Sequence, residues 1–304
     1  MEKQQKEFRI QNPFYSKTVV VCVMLFPMIS HLALFWLGTQ VESFSLAFKD
    51  EFGNFTLNNF SSVLSSIFTS EGQGSILKEA IGNTFLFFIV GVCCVPLHIF
   101  IAYMLYKKMW GYKVVRLAFY LPGMISSLMM AIMFQQLLMS EGPLLTLLNG
   151  KWGWGIPTPI VMEIPLIEIN FFDVWIGIGG SLILWMGAMG RIPEEVLESA
   201  KLDGITPIKE FLHIIFPLIW PTFTTFITLK VVGILGSSGS VLLFTEGNYG
   251  TFTLSYWLYH IIYKGQTDQF GVGSALGLLM CLVSLPLVVL SRWFLNKFGE
   301  EVQY

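Results

Sequence analysis

The chain has 304 residues, of which 54% are hydrophobic and 12% charged, with a formal net charge of −2 and a mean hydropathy of +0.65. This balance excludes an ordinary soluble domain and points to a polytopic membrane protein in contact with lipid, and the near-zero charge offers a nucleic acid nothing to bind. The four cysteines, Cys22, Cys93, Cys94 and Cys281, lie inside apolar runs with neither metal-ligand nor disulfide-framework spacing, so they read as buried thiols.

In chain order, residues 1–17 form a polar, net basic tail (Lys3, Lys6, Arg9 and Lys17 against Glu2 and Glu7). Residues 18–38 are apolar and long enough to cross a bilayer, which takes roughly 20 residues. With no small-residue cleavage site after them, they read as an uncleaved first span. Residues 39–79 are mixed and Ser/Asn-rich, expected as a loop or short helices. Further spans are expected at 82–106 and 117–139, separated by Lys107, Lys108, Lys113 and Arg116. In the outer segment 140–172, Trp152 and Trp154 suit an interfacial belt, while Pro157, Pro159 and Pro165 argue against a long helix. The fourth span is expected at 173–190, a charged loop at 191–216, the fifth span at 217–235, a Gly/Ser-rich passage at 236–251, the sixth span at 271–292 and a tail at 293–304. The expected fold is all-α, with six transmembrane helices and a cytoplasmic loop between spans four and five. With the N-terminus inside, thirteen lysines and arginines fall on the inner side and four on the outer, with Lys230 inside the fifth span. The positive-inside rule then places 191–216, and both termini, in the cytoplasm.

The stretch from Arg191 to Pro217 carries eight charged side chains between two apolar runs. It reads as helix, break, helix. Pro193 suits a first helical position, and Glu194 and Glu195 place negative charge at the positive end of the helix dipole. Val196, Leu197 and Ala200 share a face, and Gly204 ends the first helix. Thr206 and Pro207 are start signals for the second, whose apolar side is Phe211, Ile214 and Ile215. No Gly-x4-Gly-Lys-Ser/Thr spacing occurs anywhere, so nucleotide chemistry by that route has to come from a partner.

Glu198-Ser199-Ala200, three residues, Gly204, nine residues, Ile214, one residue and Phe216-Pro217 resembles the EAA loop of bacterial ABC-importer permeases. Ser199 and Phe216 depart mildly from its alanine and leucine. Ile192-Pro193-Glu194 and Leu202-Asp203-Gly204 are similar to the carbohydrate branch. Phe48-Lys49-Asp50, Gly53, Asn59-Phe60 and Val63-Leu64 resemble the first outer segment of its maltose-F-type members, and Arg116 with Leu121-Pro122 an element after the second span. The resemblance implies a subunit of the bacterial inner membrane that binds no cofactor itself. It implies a second related permease, two copies of a cytoplasmic ATPase that holds ATP and Mg, and an external solute-binding protein. It also implies a carbohydrate as solute, most simply an oligosaccharide. Glu194, Glu195, Glu198, Ser199, Ala200, Asp203, Gly204 and Pro217 would then couple ATPase movement to the spans.

For the solute path the candidates are Lys230, Trp185, Gln135, Gln136 and Asn83. An intramembrane lysine marks a functional site by default, although Lys230 sits far enough along its span to snorkel outward. Aromatic and amide side chains suit sugars but equally suit interhelical hydrogen bonding. His31, His98, His213 and His260 show no convergence with carboxylates, so they read as satisfied or interfacial, and no metal site is expected. Gly273 and Gly277 read as a close-packing pair. Gly247 to Gly250 stands where the family often has another glycine-rich element, with no role carried over. Three other readings stay open: the same importer architecture for a non-sugar solute, a secondary transporter, and a membrane-embedded enzyme. The last two would need paired ionisable groups in the spans or a catalytic cluster.

Overall fold

The computed structural model describes residues 17–50, 52–68, 73–139, 141–155, 163–236, 239–264 and 269–298. Residues 1–16 of the expected N-terminal tail and 299–304 of the tail expected at 293–304, with Pro157 and Pro159, lie outside these residues. Among the described residues the regular structure is helical, apart from one isolated bridge between Lys49 and Phe55. Four helices are each long and apolar enough to cross a membrane, and six crossings result if each of two bent helix pairs counts as one.

The first span is longer than residues 18–38. Helix α1 (Lys17–His31) passes through a π turn (Leu32–Leu37) into α2 (Gly38–Ala47). Nothing between 39 and 47 stops a helix, and Thr39 returns its hydroxyl to Phe35 O at 2.7 Å. The stop comes at Asp50, whose carboxylate accepts from Phe52 N at 3.0 Å and Asn54 N at 2.8 Å. The most apolar stretch of this span buries nothing against the rest of the chain. Helix α3 (Asn58–Phe68) follows.

The second span comprises α4 (Gln73–Cys93) and α5 (Val95–Tyr106). Pro96 has no N–H to give the preceding turn, which accounts for the break at Cys94. The third span, expected as one helix at 117–139, is a pair instead. Helices α6 (Tyr112–Met124) and α7 (Ser127–Leu137) are bent by 116°. Pro122 and Gly123 weaken the last turn of α6, and Ile125 and Ser126 are extended, with ψ of 150° and 132°. A short α8 (Pro143–Leu145) and a π turn (Thr146–Lys151) lead to Trp152 and Trp154, exposed with ring centroids 5.5 Å apart.

The fourth span, α9 (Pro165–Met189), begins two turns before residue 173. Pro165 starts this helix rather than opposing it, because a first-turn residue has no partner for its N–H anyway. The consequence is functional: Glu168, Asn170 and Asp173 belong to the span. After α10 (Glu194–Leu202), the passage α11 (Pro207–Glu210), a π turn (Phe211–Ile215) and α12 (Phe216–Leu218) meets α13 (Trp220–Val232) at a 70° bend, just past Pro217 where the fifth span was expected to begin. The Gly/Ser-rich passage contains α14 (Gly239–Phe244). An unexpected helix, α15 (Leu254–Lys264), then precedes the sixth span, α16 (Phe270–Phe298). A Cβ on Gly273 would sit 3.4–3.6 Å from Ile262, Ile261 and Leu258 of α15, which is the close packing expected of it, whereas Gly277 faces open space.

Two ends of the bundle emerge from the contacts. At one, Asn83 donates to Gly250 O and Phe252 O, both at 2.9 Å, and Thr84 Oγ1 accepts from Leu254 N at 2.9 Å. These bonds pin a turn in which Glu246, Gly247, Tyr249 and Gly250 all have positive φ. A Cβ on Gly247 would lie 2.6 Å from the Tyr256 ring, so this glycine is required by space as well as by φ. At the other end Lys107 pairs with Glu210, and Trp220 Nε1 donates to Leu295 O at 3.3 Å.

The cysteines correct one expectation. Cys22, Cys93 and Cys281 are exposed on the isolated chain and Cys94 is half-buried. In a bilayer the outward face of a helix is as apolar as the inward one, so an apolar run does not mark the interior.

Candidate functional site

The charged stretch folds as two helices around a left-handed turn. Helix α10 ends with Asp203, and Gly204 takes φ +69°. Ile205 N donates to Ala200 O at 3.3 Å and Gly204 N to Lys201 O at 3.1 Å, which is the paired bonding of a Schellman motif. Two local expectations shift by a residue or a role. Pro193 is the residue before the helix, with ψ 135°, and not its first turn. Thr206 precedes α11 in extended conformation and makes no side-chain cap.

Of the residues expected to couple, Glu194, Glu195, Glu198, Ser199, Asp203, Gly204 and Pro217 are exposed. Ala200 is buried, and Leu197 fixes α10 to the bundle in one apolar cluster with Ile192, Ile215 and Ile219. The outer surface is acidic along α10 and has an apolar tip that sequence reasoning left unassigned: Leu202 is 89% and Ile208 68% exposed. Leu202 carried a signal in the sequence, since it falls off the periodic face of its helix, whereas Ile208 stands at helical spacing from Phe211 and Ile215 and gave none.

Beneath, the pair is tied to the second span. Lys107 Nζ donates to Glu210 Oε1 at 2.5 Å. Tyr103 Oη donates to Pro207 O at 3.0 Å, and its ring lies 5.1 Å from that of Phe211. Sequence placed Lys107 on the same side as the 191–216 loop but could not pair it with a residue 103 positions away.

A second feature lies within the spans. A cavity of about 290 Å³ is lined by residues of five helices, including Gly91 of α4, His98 of α5, Asn170, Asp173 and Gly177 of α9, Lys230 of α13 and Ser240 of α14. The Lys230 ammonium is 5.7 Å from the centre of the Phe226 ring, and a Cβ on Gly91 would lie 3.8 Å from its Nζ. The side chain therefore turns to the cavity and does not snorkel outward. Asp173 accepts a hydrogen bond from Ser240 Oγ. His98 is buried, and its Nδ1 lies 3.0 Å from Ser181 Oγ, which is also 2.8 Å from Ile178 O. Its Nε2 is buried without a hydrogen-bond partner among the described residues, so the expectation of a satisfied histidine holds there for one ring nitrogen only.

The other path candidates do not line this cavity. Trp185 is fully buried, 5.0 Å from the Phe226 ring. Gln135 donates to Leu243 O at 3.3 Å and Phe244 O at 3.2 Å, joining α7 to α14. Gln136 is exposed, and Asn83 holds the glycine-rich turn. Asp173, missed because the span was started on it, belongs with Lys230 instead. Among the described residues, no group of three or more His, Cys, Asp and Glu converges as a metal site.

Comparison with known proteins gives concordant results. Residues 94–300 match the family described as the binding-protein-dependent transport system inner membrane component. The chain is 22% identical over 316 residues to the arabinooligosaccharides transport system permease protein AraP of Bacillus subtilis, covering 95% of this chain and 92% of that protein. It superposes with a TM-score of 0.80 on a chain of a bacterial ABC transporter involved in import of the acidic polysaccharide alginate, at 21% identity, covering 93% and 97% of the two chains. A second structure, a bacterial alginate ABC transporter in complex with its alginate pentasaccharide-bound periplasmic protein, gives 0.77 at 22% identity, covering 93% and 96%.

Proposed function

Because this chain belongs to the family of binding-protein-dependent transport system inner membrane components, we propose that it is one permease subunit of an ABC importer for oligosaccharides. It forms half of the solute pathway with a second related permease. Two copies of a cytoplasmic ATPase bind the coupling loops of the two permeases, in this chain residues 191–216, and hydrolyse ATP, and an external binding protein delivers the solute. The observation that carries this reading is the helix pair itself: an exposed acidic and apolar surface on one side, and a hydrogen-bonded, ion-paired attachment to the second span on the other. A lever of this shape passes rigid movement from a soluble partner to the spans, which is what alternating access requires.

The likeness to AraP and to the alginate transporters supports a saccharide as solute. Asp173 and Lys230 meet one requirement of a secondary transporter, ionisable groups of opposite sign in the spans. The helix pair gives such a transporter nothing to do, so the ATP-driven reading is preferred.

Purification of this chain from native membranes, with mass spectrometry of its companions, tests the class. An ATPase and a second permease are expected, and stable recovery of the chain alone would favour the secondary transporter. Orientation is tested by cysteine labelling after the four native cysteines are replaced. Leu202→Cys is expected to label from the cytoplasmic side and Tyr263→Cys (74% exposed) from the opposite side; labelling from one side would overturn the topology.

A further inference from the structure

At the Lys107 end of the bundle, a groove of about 580 Å³ runs along the seam of α6 and α9. The two helices meet so closely that a Cβ on Gly179 of α9 would lie 2.6 Å from Phe119 O. Helix α6 supplies Lys113, Arg116, Leu117 and Tyr120, and α9 supplies Ile183 and Met186. On α6 these residues, with Met124, follow one another at steps of three and four, so they form one stripe. The stripe is divided along its length. Lys113 and Arg116 stand in the opening turns of α6, next to the loop. Beyond them the lining is apolar, and Met124 lies about 16 Å from Lys113 along the helix at 1.5 Å per residue. Tyr120 turns its hydroxyl to Met186 Sδ at 3.5 Å. Arg116 lies over the Tyr120 ring, 5.7 Å from its centre. Neither Arg116 nor Lys113 makes an ion pair within 4.0 Å among the described residues, and no carboxylate among them lines the groove. Leu117, Met124 and Ile183 are exposed on the isolated chain.

We infer that this groove binds an anionic phospholipid, with its phosphate held by Lys113 and Arg116 and one acyl chain laid along Leu117, Met124 and Ile183. Two cations at the rim of an apolar trough match a molecule with an anionic head and a hydrocarbon tail. A bilayer brings both parts to this place, phosphate at the surface and hydrocarbon within. A free phosphate would leave the apolar wall unused. A helix of a second permease would have to bring its own acid, or bury two cations unanswered. The consequence is mechanical: α9 runs straight into the 191–216 loop, so a lipid on this seam holds α6 against the span that carries the coupling helices. The inference does not depend on the solute or the ATPase, only on the place of the chain in a membrane.

The test places the purified complex in nanodiscs of phosphatidylcholine containing a small fraction of phosphatidylglycerol or phosphatidylcholine with a photoreactive acyl chain. Labelled peptides are located by mass spectrometry. Label from phosphatidylglycerol is expected at 113–124 and 183–186, at least about tenfold above that from phosphatidylcholine at equal mole fraction. Lys113→Gln and Arg116→Gln should each lower this preference about fivefold, the worth of one basic residue near an anionic surface, and the double variant should abolish it. Ile183→Trp, at an exposed position, fills the groove and should lower label from both lipids with the cations intact. Equal label from the two lipids, or an unchanged preference in the double variant, would overturn the inference. Loss of the phosphatidylglycerol label on adding excess inorganic phosphate would assign the cations to free phosphate instead. A photoreactive residue at Leu117 that crosslinks to a second permease and not to lipid would assign the groove to protein. Label is read on this chain whatever accompanies it, so absence of an ATPase from the preparation would count against the importer reading alone.

Discussion

Replacing Gly204 with valine is expected to abolish solute-stimulated ATP hydrolysis by the assembled complex while leaving the chain inserted and folded. Gly204 holds φ +69°. A β-branched side chain is poorly tolerated there, at a cost of roughly 1–2 kcal/mol. No atom lies within 4 Å of the position its Cβ would occupy, so the isolated chain bears the backbone penalty alone and stays folded. The larger effect arises in the complex. The turn sets the angle between α10 and α11 through the bond from Ile205 N to Ala200 O, and the open space over Gly204 is where a partner surface would approach. Gly204→Asn is the control, since asparagine enters the left-handed region readily. It should keep more stimulation than valine if conformation dominates, and no more than valine if the space belongs to the partner. Stimulation is read as the ratio of ATPase rates with and without loaded binding protein. A normal ratio in the valine variant would show that this turn does not couple.

Removing one member of the Lys107–Glu210 pair is expected to lower both stability and coupling, and removing both is expected to cost less than the sum. The two side chains are 21% and 8% exposed, so Glu210 bears most of the burden when its partner is lost. Full burial of a broken pair costs about 3–5 kcal/mol. Partial solvation of Lys107 brings the expected loss for Lys107→Met to about 1–3 kcal/mol. In Lys107→Met/Glu210→Met no buried charge is left unpaired, and the melting temperature should recover part of the loss. Coupling should not recover with it, because the tie from helix pair to second span is still broken. The check is a double-mutant cycle on thermal unfolding in detergent, run beside the ATPase ratio. Additive losses in unfolding, or full stimulation in the double variant, would mean that the pair does not join these elements mechanically.

Much of this was legible in the chain. Apolar runs of the right length anticipated the four helices that are long and apolar enough to cross a membrane, because a bilayer demands about 20 such residues and backbone bonds satisfied within the segment. Gly204 was read as the end of the first helix, and the structure ends it there in a left-handed turn. The failures share a cause. Residues 117–139 are apolar throughout, and the 116° reversal rests on two extended residues, Ile125 and Ser126, that no hydropathy pattern marks. Pro165 was read as a breaker when its place in a first turn made it a starter. That one reading shortened the fourth span and left Asp173 at its edge, away from Lys230. The cysteines were read as interior because their runs are apolar, yet lipid-facing and core-facing positions look alike in composition.

By itself, then, the sequence determined what is local or additive: the membrane class, the approximate spans, the helix–turn–helix at 194–217 and the asymmetry of basic residues between its loops. Only the tertiary structure decided which distant groups meet. Lys107 found Glu210, Asn83 found the glycine-rich turn, and Asp173 came to share a cavity with Lys230. The physical reason is that hydropathy and helix signals act over one turn or one span, whereas these contacts depend on how bent helices pack and on which of several apolar faces turns inward. Inside a membrane both kinds of face are apolar, so the choice is made by packing and by the few polar groups that must find one another.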